Sequence, residues 1–544
     1  MAEEKTIKDS FPGAFTRLDL LFFACLVYLL PELTVYPVGR EYILTIAGLA
    51  VVYLIFRQIP IRLITGLLYL LPVSVVAQTV YSYNHFEYPW QTLSDITGIF
   101  NNTGIFGGFV AMGFVATTGL LISAKRPVTR ITLGLLLIPV TIQLIYSHSR
   151  AAWVAVVCGM LILLLPIFSK LTKSKLVFII PILIIAGIVF SIKLYHFKKD
   201  SADGRLLIWT VSWNMIKEKP ITGYGIGGFK RNYLLKQGEY FKNHPDSRFA
   251  DLADDVAYPY NEFMKTWIEH GIIGLLFACG IIILIFSNTA SPPVLRAVLA
   301  ALIGFSFFSY PFEIIAFQVL GIFCPAGIAS AQKPVVIAGL TRNPIKLTAL
   351  CLIITFSGFI LLAVCNYYAD LKKWNRIIRF YSPKNSQQAI EGLQALYPAF
   401  KHNDKFVFIY GKILSDAGRF SEALPLLESA KNMFPRTQAL IVLGEAYEKT
   451  DAYAKALEAW ETASYIKPSL FKPHYDMAML YFKLKNYEQA KQKANEILNK
   501  KIKIDNPEID QMKRDDPKEK IQTQQSVEKR RFVAWRTISS SKQS

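Results

Sequence analysis

Charge is scarce in this chain: Asp, Glu, Lys and Arg make up 18% of its 544 residues, against 52% apolar residues. That proportion excludes an ordinary soluble globular protein and argues for an integral membrane protein with room for several domains. Acidic residues are the scarcer sign, 40 against 60 Lys and Arg. The surplus nevertheless forms no compact basic stripe with interleaved aromatics, so nucleic acid is not an expected partner. Cysteine is scarce too. Cys25, Cys158, Cys279, Cys324, Cys351 and Cys365 lie in or beside apolar runs, with no CxxC spacing and no histidine at ligand distance in sequence. This argues against a zinc site and a disulfide framework and makes them small buried hydrophobes. The N-terminus is also a poor match to a cleavable signal, since Glu3, Glu4 and Asp9 interrupt its lysines, so the first apolar run is expected to stay as a membrane helix.

What the chain has in quantity is apolar runs long enough to cross a bilayer, which takes about 20 residues. Eleven are read, near 18–36, 41–57, 60–82, 104–123, 130–148, 151–169, 175–195, 270–287, 294–311, 313–330 and 346–366. The pair around Tyr310-Pro311-Phe312-Glu313 is alternatively a re-entrant hairpin. Lys and Arg gather in one set of short loops, Arg57, Arg62, Lys125, Arg126, Arg130, Lys170, Lys173 and Lys175 among them, while the opposite loops hold only Arg40 and Arg150. Placing the rich side in the cytoplasm puts the polar interval 196–274 outside it, and an odd number of spans sends the C-terminal part there too.

After residue 366 the composition becomes that of a soluble domain. Tyr410-Gly411, Leu443-Gly444 and Met477-Ala478 recur at 33 and 34 residues, as do Ala423, Ala456 and Ala490, and Pro435 and Pro468 close two of the units. The pattern resembles the tetratricopeptide repeat, in which small and aromatic positions let paired helices stack. The expectation is an all-α protein with these parts: a cytoplasmic N-terminus over 1–17, a polytopic membrane bundle over 18–369 with a large extracytoplasmic loop over about 196–274, an α-solenoid over 370–500, and a disordered basic tail over 501–544. The solenoid offers a surface for a protein partner; the bland alternative is a spacer. Ala331 to Pro344 reads as a linker.

The chemistry is expected in the outer interval. Arg150 stands where the charge asymmetry disfavours a cation, so an anionic ligand is its functional reading and snorkelling to water its bland one. Arg205, after Gly204, is expected at the N-terminus of an amphipathic helix with Trp209 and Trp213 on one face, where guanidinium and backbone donors together would cradle a diphosphate. A solvated surface arginine is the alternative. Gly223, Gly225, Gly227 and Gly228 shape a tight turn after Pro220. The run lacks a Walker Lys-Ser/Thr and opens no strand-helix unit, so it does not bind a nucleotide.

In order along the chain, Ser149-Arg150-Ala151-Ala152-Trp153, Gly204-Arg205 with Trp209, the run Pro220 to Gly228, and Asn261 with Glu269, Gly271 and Gly274 resemble the O-antigen ligase and polymerase superfamily, which includes bacterial protein O-oligosaccharyltransferases. The resemblance covers about residues 95–325. It implies metal-independent glycosyl transfer, without a cofactor, from an undecaprenyl-diphosphate-linked glycan to an acceptor hydroxyl on the periplasmic face of the bacterial inner membrane, with Arg150 and Arg205 holding the diphosphate. The acceptor stays open among lipid A core, a growing polysaccharide and protein. Where the ligases carry a histidine before the asparagine, this chain has Tyr260 before Asn261. A phenol with a pKa of about 10 is a poor base at neutral pH. Glu262 is therefore the first candidate for the base, with Asp254, Asp255, His244 and Glu269 as others and Tyr260 as an orienting group. The bland reading of Glu262 is a carboxylate suited to a helix N-terminus; His148 and His270 read as packing residues. A transporter would carry more ionisable residues in its spans than Glu32 and Glu313. A non-catalytic scaffold is the remaining alternative.

Overall fold

The computed structural model describes residues 15–36, 38–85, 91–168, 170, 199–287, 289–331 and 344–500. Residues 1–14 of the expected N-terminal segment 1–17, the span near 175–195, most of the linker 331–344 and the tail 501–544 lie outside the described residues. Among those described, every regular element is helical, and they divide into two compact units.

The first unit comprises residues up to Ala202, Ile216–Ile226 and Tyr258–Tyr368. It contains α1 (Arg17–Val35), α2 (Arg40–Gln58), α3 (Ile61–Leu67), α4 (Leu70–Asn84), α5 (Thr103–Ser123), α6 (Pro127–Tyr146), α7 (Arg150–Phe168), α10 (Glu262–Ser287), α11 (Pro293–Ser306), α12 (Ile315–Ser330) and the first part of α13 (Pro344–Arg379). Among the described residues, six helical stretches are long and apolar enough to cross a membrane: α1, α2, Ile61–Asn84 (α3 and α4 together), α5, α6 and α10. The expected span over 60–82 is thus interrupted by a turn at Leu68-Tyr69. α11 and α12 have only 14 and 16 residues. At 1.5 Å per residue they reach about 21–24 Å, short of the roughly 30 Å hydrocarbon core.

Burial explains the arrangement. α5 is enclosed, with Phe106, Val110, Ala111, Met112, Val115 and Ala116 fully buried, and it packs against α4, α6, α7 and α11. Lipid supplies no hydrophobic drive between helices, so close approach depends on small residues: a Cβ on Gly108 would lie 2.3 Å from the Phe305 ring, and one on Gly304 2.7 Å from Cys158 Sγ. α1 instead leaves Phe23, Val27 and Leu30 exposed, as a lipid-facing helix does. Asp19 ties α1 to α2 by accepting from Tyr53 Oη at 2.6 Å and Arg57 Nε at 3.1 Å.

The second unit comprises Asp203–Met215, Gly227–Ala257 and the residues from Ala369 onward. α8 (Lys199–Glu218) lies partly in it, and α9 (Gly228–Asn243) entirely. After α13 come α14 (Ser386–Phe400), α15 (Asp404–Asp416), α16 (Phe420–Met433), α17 (Thr437–Lys449), α18 (Tyr453–Ile466), α19 (Lys472–Lys483) and α20 (Tyr487–Asn499). α15 packs on α16, α17 on α18 and α19 on α20. The recurring small residues sit at these contacts: Ala423, Ala456, Ala478 and Ala490 are fully buried, and a Cβ on Gly444 would lie 2.3 Å from Trp460 Nε1. The polar interval expected between membrane helices is therefore shared between the two units.

Candidate functional site

The polar first third of α10 carries the candidate groups. Asn261 caps the helix, its Oδ1 accepting from the N–H groups of Phe263 and Met264 at 3.0 Å each, and so satisfies two of the donors a helix start leaves over. Tyr260 before it has a left-handed backbone, φ 54°, uncommon for a bulky residue. Tyr310 braces that turn: Tyr258 stacks on its ring at 4.8 Å and Tyr260 meets it edge-on at 5.3 Å.

Glu262 follows as the first helical residue, 8% exposed, and its Oε1 accepts the Phe312 N–H at 3.0 Å. Lys265, one turn on, forms an ion pair with Glu313. Glu269, 6% exposed, lies two turns from Glu262, so the spacings i, i+3 and i+7 bring Glu262, Lys265 and Glu269 onto one helix face. The charged neighbours of Glu262 are Lys265, Glu313 and Glu269. One ammonium thus serves three carboxylates, and buried charges persist only with such pairing.

At Gly271 the helix breaks, with φ 62° and ψ −166°. The break is made by an exchange of backbone bonds with the Pro220–Gly225 turn. An unbroken helix would have Ile272 N–H donate to Ile268. Instead it donates to Pro220 O at 3.0 Å, while Tyr224 N–H takes Ile268 O at 2.7 Å and Gly225 N–H takes Glu269 O at 2.8 Å. Trp267 Nε1 adds a bond to Pro220 O at 3.0 Å. The exchange requires backbones in contact: a Cβ on Gly271 would meet Ile221 O at 1.8 Å and one on Gly223 would meet Glu269 O at 2.4 Å. α1 joins the same junction. Its Glu32 lies 3.0 Å from His270 Nδ1 and accepts Ile226 N–H at 3.2 Å, and Tyr28 Oη donates to His270 O at 3.1 Å.

Arg150 opens α7, after Ser149, whose Oγ accepts Ala152 N–H at 3.3 Å. Its Nη2 donates to Ser201 Oγ at 3.2 Å. The arginine at a helix N-terminus is therefore Arg150. Arg205, for which that position was expected, lies inside α8, because the helix already runs from Lys199; the backbone donors of a helix start are not beside it. Its helix buries Leu207, Ile208, Val211 and Met215, leaving Trp213 exposed.

The structure joins Gly223, Gly225, Glu269 and Gly271 through the turn and the break, and Glu262 with Lys265 and Glu313 through the Pro311–Glu313 turn. Arg205, Gly227 and Gly228 belong to the second unit. Gly227 has φ 69°, whereas Gly228 is already helical. The other candidate bases of the second unit are engaged there: Asp255 accepts from Thr437, Asp254 pairs with Lys467, and His244 Nδ1 lies 2.9 Å from Tyr240 O. The Lys265–Glu313 and Glu32–His270 pairs are absent from the sequence reading; the signal available was the isolated carboxylates Glu32 and Glu313 in apolar surroundings.

Apolar helices that carry the buried Glu262 and Glu269 beside a Lys265–Glu313 ion pair define an all-α membrane protein with a polar site built on a broken helix. Residues 133–279, which hold Arg150, the Pro220–Gly228 run and the polar part of α10, match the O-antigen ligase family. A Rickettsia conorii protein named "Putative polysaccharide ligase" is 30% identical over 189 residues, 32% of this chain and 43% of the relative. The match thus spans less than half of the relative's length. Among solved structures, one titled MamA RS-1 ArsTM double mutant covers 27% of this chain and 76% of its own, with 17% identity and a TM-score of 0.23, too low to bear on the fold.

Proposed function

We propose that the protein transfers a glycan from undecaprenyl diphosphate to an acceptor hydroxyl on the extracytoplasmic, periplasmic face of the inner membrane, as a polysaccharide or O-antigen ligase. The observation that carries this reading is the buried Glu262 at the start of α10, within the segment that matches the ligase family. Glu262 removes the acceptor proton as the hydroxyl attacks the anomeric carbon, and the bond to the carrier diphosphate breaks with its electron pair leaving on phosphate. Arg150, at the N-terminus of α7, holds the charge that develops on that diphosphate; a guanidinium suits paired phosphate oxygens. Glu269 and Lys265 keep Glu262 in place, Asn261 and Tyr260 set the start of the helix, and Gly223 and Gly225 shape the turn. This reading assigns no step to Arg205, Gly227 or Gly228. The 33- and 34-residue helix pairs act as a tetratricopeptide array.

The test supplies purified protein with undecaprenyl-diphosphate-linked glycan and, in parallel, lipid A core, free polysaccharide and a Ser/Thr-containing protein. Transfer to any of these that disappears in both Glu262→Gln and Arg150→Ala supports the reading. Transfer that both variants retain, or no transfer to any acceptor, sinks it.

A further inference from the structure

The second unit contains a stretch of chain that the repeats do not need for their own helix pairs. α9 packs on α18 and α16, and three points fasten the segment 228–257 to the starts and ends of repeat helices. Lys230 Nζ is 2.6 Å from Asp404 Oδ1, at the first residue of α15. Gln237, 1% exposed, donates through Nε2 to Ile466 O at 2.7 Å and to Asp254 O at 3.2 Å, while its Oε1 accepts from Tyr233 Oη at 2.9 Å. A buried amide with both donors and its acceptor engaged admits one orientation. At the next residue the helix approaches closely, since a Cβ on Gly238 would stand 3.3 Å from Ile466 Cγ1.

Asp255 is the third point. Helix α17 has Arg436 at its N-cap position, which makes no side-chain cap bond. The missing cap comes from 182 residues away: Asp255 Oδ1 accepts Thr437 N–H at 3.0 Å, and Oδ2 accepts Thr437 Oγ1–H at 2.6 Å. A carboxylate is well suited to this, satisfying an orphan donor and facing the positive end of the helix. The Lys467–Asp254 pair at 2.5 Å involves a mostly exposed carboxylate and adds little. Two residues after Asp255 the chain leaves this unit, and Tyr258 to Glu262 follow directly.

We infer that the repeat unit anchors the outer loop of its own chain, and that Gln237 and Asp255 are positioning residues that limit the freedom of the segment leading into Tyr258–Glu262. The inference rests on the proposed role of Glu262, but its anchoring half is read independently. A chain pinned at Asp255 has two residues before the tyrosine turn; released there, it is next held only through Asp254, by the Gln237 amide and the exposed pair with Lys467.

The test uses the full-length protein in detergent and follows hydrogen exchange in peptides covering 254–266 beside turnover with undecaprenyl-diphosphate-linked glycan and the acceptor that the wild type uses. Loss of a cap corresponds to about a fivefold change. Asp255→Ala is expected to raise exchange in 256–264 about fivefold or more and to lower kcat, with the KM for the glycan donor unchanged, and Thr437→Val, which keeps the backbone N–H bond to Asp255 and loses only the hydroxyl's, to do so by less. Asp255→Asn, which keeps an acceptor for the Thr437 amide, restores most of both. Gln237→Ala raises exchange more widely, over α9 as well. Unchanged exchange in Asp255→Ala overturns the anchor. Raised exchange with unchanged kcat overturns the positioning role, and so does a loss that Asp255→Asn fails to restore. If the wild type transfers nothing, the functional reading fails while the exchange data still decide the anchor.

Discussion

Gly271→Ala should detach the Pro220–Gly225 turn from α10 and abolish transfer while leaving the membrane helices folded. The native backbone at φ 62° and ψ −166° lies in a region essentially confined to glycine, where another residue costs about 1–3 kcal/mol. The new Cβ would also stand 1.8 Å from Ile221 O and 2.8 Å from Thr222 N, both backbone atoms that cannot rotate away. Relief requires the turn to retreat, which breaks the bonds Ile272–Pro220, Tyr224–Ile268 and Gly225–Glu269, each worth about 1 kcal/mol net. Straightening the helix restores one bond, Ile272 N–H to Ile268 O. The contact with two fixed backbone atoms excludes the closed junction, and the open form gives up a net of about 2 kcal/mol of hydrogen bonding, close to thirtyfold. Hydrogen exchange over 219–227 should rise about thirtyfold, with protection in α5 and α11 unchanged, and glycan transfer should fall below detection. Wild-type exchange in 219–227 together with wild-type transfer would refute the argument that this junction requires glycine.

Glu262→Gln keeps an acceptor for the Phe312 N–H and removes the base; transfer should fall roughly 10²–10⁴-fold with little change in melting temperature, whereas Tyr260→Phe, which keeps the ring against Tyr310, should hold transfer within about threefold, and the reverse ranking in a transfer assay would move the base to Tyr260. Arg150→Lys preserves charge but not paired donors, so transfer should drop at least about tenfold with a raised donor KM; equal rates for Arg and Lys would reduce Arg150 to a point charge. Burial pushes the Asp476 carboxyl up to about 6 from its usual 3.8, against the opposing pull of Lys472, and its Oδ2 has no hydrogen-bond partner. A raised folded-state pKa contributes stability that is full below about 3.8 and is lost as pH rises through 6, here about 3 kcal/mol at 1.36 kcal/mol per pH unit; Asp476→Asn should remove that slope from exchange in α19 measured between pH 4 and 7.5, and identical slopes in variant and wild type would contradict it.

The membrane helices were legible wherever one helix buries itself by composition alone. α5 reads as a span and is a helix long and apolar enough to be one, and the helix pairs from Asp404 to Asn499 follow from residues 33 and 34 apart. What escaped the sequence depends on partners far away in the chain. Gly204 looked like a helix boundary, yet α8 runs through it. Glycine inside a helix costs about 1 kcal/mol, which burial of Leu207, Ile208, Val211 and Met215 outweighs at about 1.5–3 kcal/mol each. Lys265 and Glu313 are 48 residues apart, and no local pattern joins them. Gly271 was visible as a glycine, but its partner, the turn after Pro220, is visible only in the fold. Asp254 and Asp255 looked available for chemistry because nothing local reveals Lys467 and Thr437.

These partnerships bear on how a chain with Tyr260 in place of the ligases' histidine could still activate an acceptor. A histidine there would combine two tasks, turning the chain into the helix and taking a proton. Tyr260 can perform only the first, with its left-handed backbone braced by Tyr310. In the proposed reading the second task passes two residues on to Glu262, which is why the start of α10 must be held so closely. Asn261 caps it, Phe312 N–H fixes one carboxylate oxygen, and Lys265 with Glu313 sets the charge around it. A carboxylate is a weaker base than imidazole in water, so it serves only where burial and neighbours are arranged around it. The broken helix at Gly271 contributes by ending the polar face of α10 directly after Glu269 and His270, which separates the buried charges from the apolar helix that follows.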